Sequence, residues 1–198
     1  MHCMSQINRQ KLIEAVVYFL NHTKHPGAIK LFKLLYFLDM LHFRETGRIV
    51  TGLEYTALPY GPVPLSLFNE FSKPEPDLSE AVSIKKAPKE DPTAKPFTII
   101  TPKTSERAYY LTSREQRIAA ELALMFDTAS ADEMSLISHA KGGPWDKAKD
   151  KTPGKWVSLI DFFDATSPTL VMGSGKLRPK KELQDRAAEL EEVRSIFR

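Results

Sequence analysis

Residues 28–46 read AIKLFKLLYFLDMLHFRET, and this stretch decides the fold because apolar residues occupy almost every side of its helical wheel. A helix that is apolar all round is normally enclosed by other elements of the domain. Pro26-Gly27 precedes the stretch and Gly47 follows it, and both are typical of helix boundaries. The sequence therefore predicts one central helix with the rest of the chain packed around it.

The flanking segments predict shorter elements around that helix. Helical periodicity, capping boxes and prolines at first helical positions indicate helices over residues 6–22, 64–71, 112–127, 130–139, from 144, and 180–198. In the helix over 112–127, Ile118, Leu122 and Met125 are predicted to point inward. Strands are predicted over residues 55–58, 81–85, 97–100 and 108–111. The fold class is α+β: a mainly helical single domain with a small antiparallel β-sheet and a C-terminal helix.

Composition divides the chain into a core and two polar segments. Residues 73–96 are rich in Pro, Lys, Glu and Asp, which predicts an exposed loop. Gly173-Ser174-Gly175 lies in a predicted linker, with a further turn of helix expected over residues 159–164. We therefore expect a domain over residues 1–166, followed by a linker and a charged amphipathic helix over residues 167–198.

Charge and cysteine content narrow the class of protein. A net charge of +3 is small and spread along the chain, so the sequence does not favour a nucleic-acid-binding role. Cys3 is the single cysteine, which allows neither an internal disulfide nor a Cys-rich zinc site. No signal peptide or membrane segment is evident. A cytoplasmic protein without metal or cofactor is the expectation.

Candidate catalytic residues are few. Asp39 and His42 lie three residues apart on the central helix, which fits either an acid–base pair or a hydrogen-bonded contact inside the core. No zinc-protease, nucleotide-binding or serine-hydrolase motif is present. Lys30 and Lys33 of the same helix either pair with acidic groups, reach a partner, or extend along their stems to solvent, and the last interpretation is favoured. The sequence predicts no catalytic residue.

Three motifs, in this order along the chain, carry a family resemblance. The first is KLFKLLYF at residues 30–37, the second is Tyr-Gly-Pro-Val at 60–63, and the third is a histidine at 139 followed by Pro-Trp at 144–145. Together they resemble the Panacea domain, the SocA-like antitoxin domain. The family residues implied here are Lys30, Lys33, Tyr36, Tyr60, Gly61, Pro62, Val63, His139, Pro144 and Trp145. Pro64 stands one position earlier than the family pattern places that proline.

The resemblance implies a protein-interaction role without a catalytic site. Members of the family are phage-associated or bacterial antitoxins that bind a cognate protein toxin, and some deliver it to a Clp-type protease as proteolytic adaptors. The variable segments expected to choose the partner are residues 73–96 and 167–198. Two alternatives remain: a nucleic-acid-binding regulator of its own operon, and an enzyme that uses Asp39, His42 and His139 in one pocket.

The C-terminal helix has its own narrow apolar stripe, formed by Leu183, Ala187, Leu190 and Phe197. Such a helix can dock in a groove of a protein partner. It can equally pack on its own domain or pair in a homodimer. The sequence leaves these three arrangements open.

Overall fold

The computed structural model describes residues 6–24, 27–86, 98–105, 109–149, 157–158 and 175–196. Within them lie the helices α1 (Gln6–His22), α2 (Ala28–Thr46), α3 (Leu65–Glu70), α4 (Pro76–Ala81), α5 (Ser113–Met125), α6 (Ala131–Ser138), α7 (Pro144–Lys149) and α8 (Lys180–Ile196). The strands are β1 (Thr56–Leu58), β2 (Gly61–Val63), β3 (Val82–Lys86) and β4 (Thr98–Pro102). The predicted turn over 159–164, Gly173, Ser174 and Phe197 lie outside the described residues.

The predicted central helix is confirmed as α2. Every residue from Lys30 to Glu45 is buried, and α2 contacts α1, α5, α6, α8, β2 and β4. Gly47 ends the helix with a left-handed φ of 71° and donates its N–H to the carbonyl of Phe43 at 2.7 Å. The mainly helical α+β fold is therefore arranged around one enclosed helix, as the sequence indicates.

The strands form two separate antiparallel hairpins. Strand β1 pairs with β2, with Thr56 opposite Val63, and β3 pairs with β4, with Val82 opposite Pro102. The predicted strand over 108–111 is wrong for residues 109–111, which form bends. Their N–H groups donate to the Glu14 carboxylate of α1, at 2.7 Å for Leu111, and this bonding replaces a strand ladder.

The predicted loop over residues 73–96 is wrong for residues 76–81, which form a helix, whereas the strand predicted over 81–85 is confirmed as β3. Residues up to 86 form helix α4 and strand β3, and residues 87–97 lie outside the described residues. Leu78 is fully buried, and Arg9 of α1 donates hydrogen bonds to both Glu70 and Asp77. The polar composition concealed this element because one buried leucine and an ion-pair network attach it to the domain.

Helices α5 and α6 begin at the predicted capping boxes. The Thr112 hydroxyl accepts from the N–H of Glu115, and Ser130 and Glu133 form the equivalent pair. On α5, Ile118 and Leu122 are buried as predicted, but Met125 is half-exposed and Phe126 is buried in its place. Residues 118, 122 and 126 follow the four-residue spacing that keeps one helix face inward.

Helix α8 packs on the domain. Leu183 and Ala187 are buried, and Leu190 is half-buried. The N–H of Arg178 donates to the carbonyl of Arg44 at 3.0 Å, which attaches the start of α8 to the end of α2. Of the three arrangements open from the sequence, the structure shows the one in which the helix covers its own core.

We expect Leu183→Ala to lower the free energy of unfolding by about 2–3 kcal/mol, because it removes a leucine that is only 2% exposed. Val193→Ala on the same helix is the matched control, since Val193 is half-exposed and should change stability by less than about 0.5 kcal/mol. Urea unfolding measures both. Equal effects of the two substitutions would show that α8 does not pack through Leu183.

Candidate functional site

The three sequence motifs meet at one point of the structure. Lys33 of α2 is fully buried, and its Nζ donates a hydrogen bond to the carbonyl of Pro62 in β2 at 2.9 Å. Gly61 lies against both Lys33 and Ser138, the last residue of α6. The indole Nε1 of Trp145 donates to the carbonyl of Leu58 in β1 at 2.8 Å. We call Lys33, Gly61, Pro62, His139 and Trp145 the motif cluster.

Gly61 is required at its position for two reasons. Its φ is 100°, which side-chain-bearing residues rarely adopt. A Cβ atom built there would lie 2.6 Å from Lys33 Nζ and 2.6 Å from Ser138 Oγ. After the turn at Pro59-Tyr60, the main chain at Gly61 therefore lies directly against α2 and α6, with no room for a side chain.

His139 and Trp145 form the outer wall of the cluster. Their rings are stacked with centroids 3.8 Å apart, and Lys149 Nζ lies 5.1 Å from the centre of the Trp145 ring. Burial, Lys33 and Lys149 all lower the pKa of His139, so the imidazole is neutral at neutral pH. Its Nε2 is buried and has no hydrogen-bond partner within the described part of the chain.

Ser138 belongs to this site but was missed from the sequence. Its hydroxyl donates to the carbonyl of Ser135 at 2.8 Å and lies against Gly61. A small residue at this place lets α6 approach strand β2 closely. The one signal in the sequence was its position directly before His139, and serine is too common at helix ends for that signal to select it.

Lys33 is a buried amine held by a neutral partner. Burial lowers its pKa from the ordinary value of 10.5 to about 7. Its described hydrogen bond goes to a carbonyl oxygen, which accepts from the amine in either protonation state. The prediction that lysine stems lead to solvent is wrong for Lys33, because strand β2 and helix α6 cover it.

We expect the free energy of unfolding to rise by about 2 kcal/mol between pH 7 and pH 9 through Lys33. In the unfolded chain the Lys33 amine has its ordinary pKa of 10.5 and stays protonated between pH 7 and pH 9. In the folded chain its pKa is about 7, so the amine loses its proton over this range. Because the unfolded state binds more protons, stability increases with pH. Urea unfolding at several pH values measures this slope.

Lys33→Met is the matched control for that pH dependence. Methionine fills a similar volume and does not titrate. Between pH 7 and pH 9 the free energy of unfolding of the variant should therefore rise by about 2 kcal/mol less than that of wild type, because all other titrating groups contribute equally to both proteins. If wild type and Lys33→Met show the same change between pH 7 and pH 9, the lysine is not buried in the folded protein.

Lys30 is also buried and does not extend to solvent. Its Nζ donates to the carbonyls of Lys24 and Asp127, at 2.8 and 2.9 Å. These carbonyls lie just beyond the C-terminal ends of α1 and α5, where helix carbonyls lack intrahelical partners. Lys30 therefore joins two helix ends, and an ammonium there is favoured by both helix dipoles.

The remaining predicted motif residues differ in exposure. Tyr36 is buried, and its ring meets that of Tyr55 edge-on with centroids 5.3 Å apart. Val63 and Pro144 are buried as well, whereas Tyr60 at the tip of the hairpin is 51% exposed. The motif therefore mostly builds the interior, and Tyr60 is the motif residue most available to a partner.

Asp39 is a hydrogen-bonded core residue. Its carboxylate accepts from the N–H groups of Val50 and Thr51, at 2.7 and 2.9 Å, and from the hydroxyls of Thr51 and Tyr55. Burial raises the pKa of Asp39, and these four bonds oppose the rise. The Asp39 carboxylate therefore holds residues 50–55, which follow α2, against the helix.

His42 and His139 lie in other surroundings. His42 Nδ1 donates to the carbonyl of Arg48 at 2.8 Å, while its Nε2 faces Glu115 at 3.8 Å. His139 stacks on Trp145 in the motif cluster. The pocket that would combine these histidines with Asp39 is therefore not formed. Among the residues that the structure describes, no group of His, Cys, Asp and Glu side chains is arranged to hold a metal ion.

A comparison with protein families identifies the domain. The sequence model of the family described as "Antitoxin SocA-like, Panacea domain" matches residues 31–146. The chain belongs to this family. The Panacea domain thus contains the whole motif cluster, from Lys33 in α2 to Trp145 in α7.

Two further elements pack on the Panacea domain from outside the matched range. They are α1 and α8, which both contact α2. No curated protein and no solved structure matches the chain. No helix within the described residues has the length and apolar character to cross a membrane.

Proposed function

We propose that this Panacea-domain protein is an antitoxin that binds and neutralises a cognate protein toxin in the cytoplasm. The family match over residues 31–146 is the observation that carries the proposal. The motif cluster supports it physically, because its side chains bond to the domain's own backbone. Such a cluster acts as a scaffold for a binding surface.

The fully buried members of the motif cluster are not available to a partner. Lys33 is covered completely, and Gly61 is buried between α2 and α6. Asp39 has four donors around its carboxylate, so it offers no free acceptor to a ligand. These features favour recognition of a protein surface over catalysis on a small substrate.

Co-expression tests the proposal. Each small open reading frame adjacent to the gene is expressed from an inducible promoter, with and without this chain. We expect one frame to arrest growth alone and to be tolerated with the antitoxin, and the two purified proteins to bind each other. The proposal fails if neither neighbouring frame is toxic, or if a toxic one is not neutralised.

A proteolytic adaptor role is a finer form of the same proposal. In that form the antitoxin carries the toxin to a Clp-type protease, so the toxin's half-life shortens only when both are present. Pulse-chase measurement in strains with and without the protease separates the two forms. A half-life independent of the protease supports direct neutralisation by binding.

The end of α8 is a candidate contact for the toxin. Leu183 is buried in the domain, whereas Val193 and Ile196 are exposed, so the large apolar side chains of α8 that a partner can reach lie in the last part of the helix. Deleting residues 192–198 keeps Leu183, Leu190 and the Ser158–Glu191 hydrogen bond. We expect this truncation to fold with unchanged stability and to lose at least about tenfold in toxin affinity.

Deletion of residues 174–198 is the contrasting variant for α8. It uncovers the core around Leu183 and should destabilise the domain by several kcal/mol, so its loss of activity alone would not identify a contact. If the shorter truncation binds toxin as tightly as the full chain, the exposed end of α8 does not take part.

A further inference from the structure

Helices α1 and α8 have the same length of 17 residues, but the domain holds them by very different amounts of apolar surface. Six residues of α1 are buried, namely Leu12, Ala15, Val16, Val17, Phe19 and Leu20. Among the described side chains of α8, Leu183 and Ala187 are buried and Leu190 is half-buried. Because hydrophobic stabilisation grows with the apolar area removed from water, α8 is held much more weakly than α1.

The ion pairs of the two helices differ in the same direction. On α1, Arg9 and Lys11 pair with carboxylates of α3, α4 and α5, so these pairs join the helix to the domain. In the C-terminal segment two ion pairs join residues of that segment to each other, Arg178 to Glu182 and Arg186 to Glu189. These two pairs stay intact when the helix leaves the domain, so they do not oppose its opening.

The chain that leads into α8 is attached to the end of α2. The N–H and Nε of Arg178 donate to the carbonyls of Arg44 and Glu45, at 3.0 and 3.2 Å. Gly175 lies against the Glu45 carboxylate, because a Cβ atom built at Gly175 would be 1.8 Å from Glu45 Oε1. The same carboxylate is buried and accepts two hydrogen bonds from Arg117 of α5. The start of the segment therefore covers one side of a buried ion pair.

Two polar contacts hold the body of α8. The Ser158 hydroxyl donates a hydrogen bond to the Glu191 carboxylate, and the stem of Arg186 lies against Gly47 at the end of α2. Arg186 is exposed and Glu191 is half-exposed. Water therefore replaces much of what these contacts provide when the helix opens.

We propose that α8 is a detachable cover, which opens as one unit while the rest of the protein stays folded and uncovers the Glu45 carboxylate and the apolar surface beneath Leu183 and Ala187. The inference goes beyond the proposed function and does not depend on the identity of the partner. Elements with few buried apolar contacts open before the rest of a folded protein does. The fraction of open molecules limits the apparent affinity of any ligand for the uncovered surface, so α8 regulates access to it.

Native-state hydrogen exchange on the full chain, measured by mass spectrometry, tests the opening. A helix of 17 residues is marginal in water once it leaves its domain, so its amides exchange when it opens. We expect protection factors in α8 to be at least about a hundredfold lower than those in α1. In urea below the unfolding midpoint, exchange in α8 should change little, because its opening exposes little surface, whereas exchange in α1 should accelerate steeply. Equal protection with equal urea dependence in both helices overturns the proposal.

Gly175→Ala is the variant that should open the cover selectively. Gly175 has no left-handed φ, so alanine there adds no backbone strain, but its methyl group collides with the Glu45 carboxylate. We expect protection in α8 to fall about tenfold further and protection in α1 to stay unchanged. Lys176→Ala is the matched control, because Lys176 is exposed, and it should change neither helix. If Gly175→Ala leaves α8 unchanged, or lowers protection in α1 equally, α8 does not open independently.

Protein concentration distinguishes a cover within one chain from a contact between two copies. When α8 closes on its own domain, its protection factors do not depend on concentration, and we expect equal values in exchange measured at 2 µM and at 50 µM protein, flagged here as about a 25-fold range. If protection in α8 rises with concentration, a second copy holds the helix and the proposal fails.

Discussion

Asp39→Ala should lower the free energy of unfolding by at least about 4 kcal/mol. The substitution leaves the N–H groups of Val50 and Thr51 and the hydroxyls of Thr51 and Tyr55 without their acceptor inside the core. Each buried donor without a partner costs about 1–3 kcal/mol. Urea unfolding followed by circular dichroism measures the loss, which is large enough to unfold a marginally stable domain.

Asp39→Asn is the matched control for that experiment. The amide keeps the size of the side chain and one acceptor oxygen for the two N–H groups, and the hydroxyls of Thr51 and Tyr55 can accept from its nitrogen. We expect a loss of about 1–2 kcal/mol. If asparagine destabilises the fold as much as alanine, the negative charge matters more than the four hydrogen bonds.

Gly61→Ala should cost about 3–4 kcal/mol of unfolding free energy. A left-handed backbone accounts for about 1–2 kcal/mol of this. The rest comes from the Cβ atom, which would lie 2.6 Å from Lys33 Nζ and 2.6 Å from Ser138 Oγ. To make room, the buried lysine must leave the Pro62 carbonyl, and a buried hydrogen bond is lost.

Gly52→Ala separates the two contributions at Gly61. Gly52 has a φ of 73°, so alanine at this position has the energetic cost of a left-handed backbone but makes no contact with the motif cluster. We expect a loss of about 1–2 kcal/mol, roughly half of that at Gly61. Equal losses at the two glycines would mean that α2 and α6 shift freely to admit a methyl group.

The sequence predicted the central helix and the helix starts because those features depend on local chemistry. Residues 28–46 are apolar around the whole helix, and Thr112 and Ser130 have glutamate three positions later. Each signal is complete within a few residues. The structure therefore confirms them at α2, α5 and α6.

The sequence-based predictions were wrong where the structure depends on contacts between residues that are far apart in the sequence. Lys33 was given a route to solvent because nothing nearby shows that Pro62 and Gly61 would cover it. Residues 76–81 were predicted as loop because their polar composition hides the contact of Arg9 with Asp77. Residues 109–111 were predicted as a strand because the Glu14 carboxylate that binds their N–H groups lies in another helix.

The core-facing side of helix α5 shows the same limit. Met125 was predicted to face inward from its spacing on α5, although Phe126 takes that place in the core. The error concerns one position on the helical wheel, about 100° of rotation. It exchanged a core residue for a surface one, and only the folded structure shows which of the two neighbours is buried.

Four side chains of the domain form hydrogen bonds with main-chain atoms of other segments. Lys33 binds the Pro62 carbonyl, Lys30 binds the carbonyls of Lys24 and Asp127, Trp145 binds that of Leu58, and Asp39 binds the N–H groups of Val50 and Thr51. A main-chain carbonyl is the same whichever residue carries it, and every residue except proline also carries the N–H. Neighbouring positions are therefore free to diverge without weakening these bonds. For the engineer, exposed positions such as Leu124, Asp132 and Leu136 can therefore be randomised in a library while these main-chain hydrogen bonds stay intact.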